Sequence, residues 1–170
     1  MREFLWVRPM VDIGERLKYI RETYDVSQEE MGRVLGVSKS SISHYENNDY
    51  IIPMRKLCAI SNYLDLSIDY IFDFTNLKRY DDMKRELNLK VVGRRLSEIC
   101  HDQNFSNVAL AKELNTTESN IRKYKMGQPL ILTAFALQLS EKYSYSMDWI
   151  VGKSNHKYVQ EKSKNKVGQL

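Results

Sequence analysis

Residues 13–73 and 92–152 are one segment written twice, and the two stretches align without a gap at an offset of 79. Identities fall at Gly14/Gly93, Arg16/Arg95, Leu17/Leu96, Ser27/Ser106, Leu35/Leu114, Ile42/Ile121, Tyr45/Tyr124, Ser67/Ser146, Asp69/Asp148 and Ile71/Ile150. Two copies of one domain are the simplest reading. Two are too few for a solenoid, which needs at least about three units to bury a continuous core. Each copy is therefore expected to fold by itself around a small core, at a size where a domain is only marginally stable alone.

Composition narrows the function classes. No stretch approaches the roughly 20 apolar residues that span a bilayer, and the start, MREFLWVRPM, is too short in its apolar part for a signal peptide. A cytoplasmic protein without a membrane partner is expected. Cys58 and Cys100 lie in apolar-periodic stretches of different copies, where reduced core thiols are expected rather than a disulfide. His44, His101 and His156 are scattered without ligand spacing, so no metal is expected. There is no Gly-rich phosphate loop and no nucleophile elbow. Neither an enzymatic reaction nor a cofactor is implied.

The net charge of +4 is unevenly spread. Residues 12–73 hold 7 Lys and Arg against 11 Asp and Glu, whereas residues 90–152 hold 8 against 6 and the segment from Lys153 onward holds 5 against 1. Net basicity lies in the second copy and the tail, so charge alone does not mark the first copy as a nucleic-acid binder.

Within a copy the periodicity predicts five helices. Ile13, Leu17, Ile20 and Tyr24 form one face of a first helix. Ser27 and Glu30 read as a capping box that opens a second, in which Gly32 costs about 1 kcal/mol relative to Ala. Close approach of another helix is the expected compensation. Gly36, matched by Asn115, suits the left-handed end of that helix. Ser38, matched by Thr117, caps a third helix that turns Ile42 and Tyr45 inward and Lys39, Ser40, Ser43, His44 and Asn47 outward. A fourth runs from about Met54 to Leu64, and Ser67 caps a short fifth with Asp69 in its first turn. The second copy repeats this with Leu96, Ile99, Phe105, Leu110, Leu114, Ile121, Tyr124, Leu139, Tyr143 and Ile150 as its core.

A capped helix, a turn opening with Gly and a polar-faced helix make a helix-turn-helix. The stretch SQEEMGRVLGVSKSSISHYENN, followed by Pro53 and LCAISNYLDLSIDYIF, resembles the phage repressor and Cro type of domain, the XRE family. The second copy, with SNVALAKELNTTESNIRKYKMG, is similar but more diverged. The resemblance implies an all-α fold of two tandem five-helix domains and double-stranded DNA as partner. It puts the third helix in the major groove and the start of the second on the phosphate backbone. Gln28 would then bond a phosphate, and Lys39, Ser40 and His44 would face bases. Ser38, Ser41, Ser43 and Asn47 would make phosphate or water-mediated contacts. In the second copy the corresponding set is Asn107, Thr117, Ser119, Asn120, Arg122 and Lys123. There Glu118 stands where Lys39 would be and repels phosphates, while Arg122, Lys123 and Lys125 line up three positive charges. The family also pairs an Arg of the first helix with a Glu of the third, here Arg21 and Glu46. The second copy has Cys100 and Lys125 instead, a joint loss that avoids stranding one charge.

The expected organisation is an arm over 1–11, a first domain over 12–73, a charged linker over 74–89 with helix among its options, a diverged second domain over 90–152 and a basic, disordered tail over 153–170. The expected function is a sequence-specific, nucleoid-associated DNA-binding regulator, in the first instance a repressor. The alternative keeps DNA binding in the first copy and gives the second to homodimerisation or to docking a protein antagonist.

Overall fold

The computed structural model describes residues 11–160. Apart from Val11, the expected N-terminal arm lies outside the described residues, as does the tail from residue 161 onward. Among the described residues ten helices follow one another: α1 (Ile13–Thr23), α2 (Gln28–Leu35), α3 (Lys39–Glu46), α4 (Met54–Leu64), α5 (Ile68–Ile71), α6 (Leu89–Asp102), α7 (Asn107–Glu113), α8 (Glu118–Lys125), α9 (Thr133–Tyr143) and α10 (Met147–Ile150). The described residues contain no strand, only an isolated bridge between Tyr145 and Tyr158. The fold is all-α, with α1–α5 and α6–α10 clustering into two helical sub-domains.

Local chemistry sets the helix boundaries. The side chains of Ser27, Ser38 and Ser67 accept from Glu30 N, Ser41 N and Tyr70 N, and Ser106, Thr117 and Ser146 do the same for α7, α8 and α10. Each such cap is worth about 1 kcal/mol. Every left-handed residue of one sub-domain recurs 79 positions later in the other: Asp25/Asn104, Gly36/Asn115, Asn48/Gly127, Asp65/Ser144 and Asp73/Gly152. The reciprocal half of the expected capping box is not made, because the Glu30 carboxylate instead accepts from Tyr63 OH on α4 at 2.6 Å. At Gly32 the close neighbour is also not a helix. A Cβ there would meet the Val37 carbonyl at 2.8 Å, so the small residue makes room for the turn into α3.

The two cores match position for position. Leu17, Ile20, Met31, Leu35, Ile42, Leu57 and Ile71 are buried in the first, and Leu96, Ile99, Leu110, Leu114, Ile121, Ala136 and Ile150 in the second. Each fully buried Leu or Ile stabilises by about 1.5–3 kcal/mol. Phe105 and Tyr143 sit at the core edge in a T-shaped contact of 5.9 Å. Gly14 and Gly93 let α1 and α6 run against the last carbonyls of α3 and α8, where any Cβ would collide with backbone.

Residues 74–88 hold no helix, a correction to the helical option for the linker. The charged composition permitted a helix, but the segment's polar groups are satisfied elsewhere. Ser67 N donates to Lys78 O (2.6 Å), Lys84 N donates to Lys153 O (2.7 Å) and Tyr80, 1% exposed, donates its hydroxyl to Asp69 (2.7 Å). The same strap recurs after α10, where Ser146 N donates to Lys157 O (2.9 Å). Residues 153–159 therefore lie hydrogen-bonded against the domain, unlike the disordered tail expected from residue 153 onward, and Lys153 and Ser154 are buried.

The sub-domains meet through α5 and α10 by exchanging carboxylates. Asp69 accepts from Met147 N (2.8 Å) and Ser146 Oγ (2.5 Å) at the start of α10, while Asp148 accepts from Ile68 N and Asp69 N (both 3.0 Å) at the start of α5. Each helix is thus capped by the acid of the other copy. Thr133 Oγ1 donates to Ile52 O (2.6 Å) and Val11 N donates to Glu141 (2.8 Å), so that α9 also meets the loop before α4 and the residues just before α1. A relation in which residue i meets j and j meets i is that of a two-fold axis.

Candidate nucleic-acid interface

Two short helices present polar faces, and their geometry differs. On α3, Lys39 and Ser40 are exposed at the N-terminus with no side-chain partner among the described residues. Ser41 and Ser38 share a hydrogen bond (3.0 Å), and Asn47 Nδ2 donates to Ser43 (3.3 Å). His44 Nδ1 lies 2.8 Å from Asp49, and its ring meets Tyr50 edge-on at 5.4 Å. His44 is thus held in one orientation, which limits the bases it can meet.

Beneath α3 lies the expected ion pair. Arg21 Nε and NH2 bond the two Glu46 oxygens at 2.5 and 3.0 Å, and Arg21 NH1 donates to Val26 O (2.9 Å). The Glu46 side chain is 4% exposed, and its hydrogen bonds and charge raise the Arg21 pKa above its ordinary value. Gln28 joins them, with Nε2 donating to Glu46 (2.9 Å). This engages one N–H of the amide expected to meet a phosphate and leaves its oxygen and second N–H unused.

The second sub-domain reverses the polarity of this arrangement. Lys125 Nζ donates to the Asn107 carbonyl at 2.6 Å, so Asn107 accepts where Gln28 donates. Three positions, Cys100, Asn107 and Lys125, have changed together. The row of three charges expected on α8 is not presented to solvent as a row, because Arg122 pairs with Glu118 (2.6 and 3.1 Å) and Lys125 turns to Asn107. The pairing also neutralises Glu118, whose repulsion of phosphates was expected to count against α8. The Asn120 side chain donates to Thr116 Oγ1 (3.0 Å), and its backbone N–H donates to the capping Thr117 Oγ1 (3.2 Å). Ser119 and Lys123 remain exposed. Each helix thus keeps one cation, Lys39 or Lys123, and one serine hydroxyl without a side-chain partner among the described residues.

Sequence reading missed the supports. Asn48, left-handed, accepts from Gly14 N (2.9 Å) and donates to Asp12 (2.7 Å), tying the end of α3 to the start of α1. Lys56 Nζ caps the Leu35 carbonyl at the end of α2. The fold also gathers His156, Asp81 and Asp82, a trio that sequence spacing did not suggest. Their atoms are engaged within the protein: Asp82 accepts from Ser154 Oγ and Asn155 N (both 2.7 Å), and Asp81 meets His156 at 3.0 Å.

The helix-turn-helix family matches residues 17–71. A DNA-binding domain of the helix-turn-helix type occupies part of this chain. The antitoxin PezA of Streptococcus pneumoniae is 27% identical over 108 residues, 61% of this chain and 68% of PezA. The uncharacterized HTH-type transcriptional regulator YobD of Bacillus subtilis is 31% identical over 62 residues, 36% of this chain and 55% of YobD. The chain thus spans about half the length of YobD. No solved structure matches. Together the motif and the regulator relative support a DNA-binding regulatory function and a non-catalytic class. No helix among the described residues is long and apolar enough to cross a membrane.

Proposed function

We propose that the chain is a transcriptional repressor made of two tandem helix-turn-helix domains that act as a covalent pseudo-dimer. One chain reads an asymmetric site, α3 in one major groove and α8 in the next. The observation that carries this reading is the exchange of Asp69 and Asp148 across a pseudo-two-fold axis. Dimeric regulators of this kind set two recognition helices about 34 Å apart, one DNA turn, by the same symmetry. Lys39, Ser40 and His44 contact bases in the first half-site, with Gln28, Ser38, Ser41, Ser43 and Asn47 on phosphates or water. Ser119 and Lys123 contact bases in the second, supported by Asn107, Thr117, Asn120 and Arg122. Lys suits guanine O6 and N7, and Ser pairs with either a donor or an acceptor.

Footprinting of the intact chain with stoichiometry tests it. One chain per site is expected, with Lys39→Ala weakening protection of one half and Lys123→Ala of the other. Two chains on a palindrome, with Lys123→Ala indistinguishable from wild type, would overturn it.

The antitoxin relative favours a second reading. Its 108 aligned residues exceed either sub-domain, so the likeness to a protein named for antagonising a toxin reaches beyond the DNA-reading motif. Under that reading the second copy docks a protein partner, and Lys123→Ala would change complex formation with that partner instead of the footprint.

A further inference from the structure

We propose that the cleft between the linker and the start of α6 binds a nucleotide-like small molecule, a phosphorylated ligand with a ring-sized apolar end. The cleft encloses about 530 Å³ and is lined by Lys84, Arg85, Glu86, Asn88, Arg94 and Arg95, among others. That volume is typical of small-molecule sites, which run from about 300 to 1,000 Å³. Four cations face one carboxylate. Lys84, Arg85 and Arg94 are exposed and form no ion pair among the described residues. Like charges held together repel, and an anion relieves that repulsion.

Arg95 is the fixed wall of the site. It is 7% exposed, and its guanidinium donates to the carbonyls of Trp149 and Ser154 and to Asn155 Oδ1 (3.0 Å), with no carboxylate paired to it. Burial outweighs the attraction of Glu98 and Asp82, and with the neighbouring Arg94 cation pulls its pKa below the ordinary arginine value. A buried cation with no carboxylate in direct contact is costly to hold, and a bound phosphate adds the counter-charge. The positive end of the 14-residue α6 helix dipole adds to the same potential.

The apolar end has its own seat. A neighbouring, shallower recess of about 420 Å³ shares Arg85 and Glu86 with the cleft and is lined further by the apolar Cys58, Ala59 and Leu87 and by the polar Arg55 and Asn62. Together the two recesses join α4 of the first sub-domain to α6 of the second across the linker, so an occupant bridges both halves. Lys39 and Lys123, the cations kept on α3 and α8, line neither recess.

Calorimetric titration of the full chain without DNA, at low salt, tests the site with three probes: pyrophosphate, ADP and adenosine. Pyrophosphate and ADP should bind, ADP the more tightly, and adenosine should not. Arg94→Ala and Lys84→Ala, both at exposed positions, should each weaken ADP by about tenfold while leaving the thermal midpoint of the free protein unchanged. The proposal is overturned if ADP gives no saturable binding up to about 1 mM, if adenosine matches ADP, or if both variants bind ADP like wild type. Loss of DNA affinity in the variants without any ADP binding overturns it too, and assigns the cleft to the DNA backbone. Because the titration contains no DNA, its result is independent of the repressor reading.

Discussion

The pair Asp69 and Asp148 makes a sharp prediction about pH. Both carboxyls are fully buried, and desolvation raises both; for Asp148 the repulsion of Asp69 adds to burial and takes it to about 8. Tyr80 and Ser146 donate to Asp69 from either side, and Lys153 is the buried cation nearby, its own pKa pulled down by burial. Two carboxylates and one ammonium are neutral together only if the carboxylates share one proton. The native protein then holds a proton that the unfolded chain, with carboxyls near about 4, has released. The sign follows from linkage: stability is full below the unfolded value and is lost as pH climbs through the folded one. Between pH 5 and 7 one extra native proton gives a slope of about 1.4 kcal/mol per pH unit, a loss of about 3 kcal/mol. Urea unfolding at pH 5, 6 and 7 measures it. Asp148→Asn should lower absolute stability, since its amide cannot accept from both Ile68 N and Asp69 N, yet it should flatten the slope by removing the repulsion. A flat wild-type profile, or an unchanged slope in Asp148→Asn, would refute the shared proton.

Other outcomes follow from contacts already described. Glu46→Leu should destabilise by about 3 kcal/mol or more by stranding Arg21 and Gln28, whereas the triple change Arg21→Cys, Gln28→Asn, Glu46→Lys, copying the other sub-domain, should be milder; a thermal-unfolding cycle reads the coupling, and additive losses would deny it. Lys39→Ala should cost about 1–3 kcal/mol of DNA binding and relax preference at one base pair in a panel of operator variants, with unchanged discrimination counting against base contact. Gly93→Ala should cost about 1–3 kcal/mol in urea, because the neighbour it meets is the Lys125 backbone, and a neutral substitution would mean that α6 can shift. Lys123→Ala should lower the salt slope of DNA binding by about one unit, which titrations across ionic strength would detect.

Much of the fold was legible because it is written in local chemistry. Capping hydroxyls, left-handed turns and apolar spacing each act within a few residues, and the repeat doubled every such signal. The Arg21–Glu46 pair was legible through resemblance, since residues 25 apart in sequence carry no local cue. Asp69 misled for a physical reason: an acid in the first turn reads as support for its own helix, and nothing nearby in sequence reveals that it caps α10 instead. The straps at 74–80 and 153–159 were hidden by their charged composition, which hydrophobic pattern cannot distinguish from a solvated linker. On α8 the signal was present, because Glu118 and Arg122 are four residues apart with the acid first, the favoured order for a helical ion pair. Reading that pair would have reduced the expected free charge of the α8 surface.

The exchange of caps between α5 and α10 takes place within one polypeptide, so no step of its formation depends on how many molecules are present. A symmetric two-chain reader must first assemble, and in dilute conditions its occupancy rises with the square of protein level. Here the two halves meet at the effective concentration of a short tether, of millimolar order. Occupancy of a site read by both halves would rise in simple proportion to copy number, without a threshold. Under the proposed two-helix reading, the same tether frees α3 and α8 from identity: a substitution on α3 would alter half of the site alone, so each half-site could drift separately.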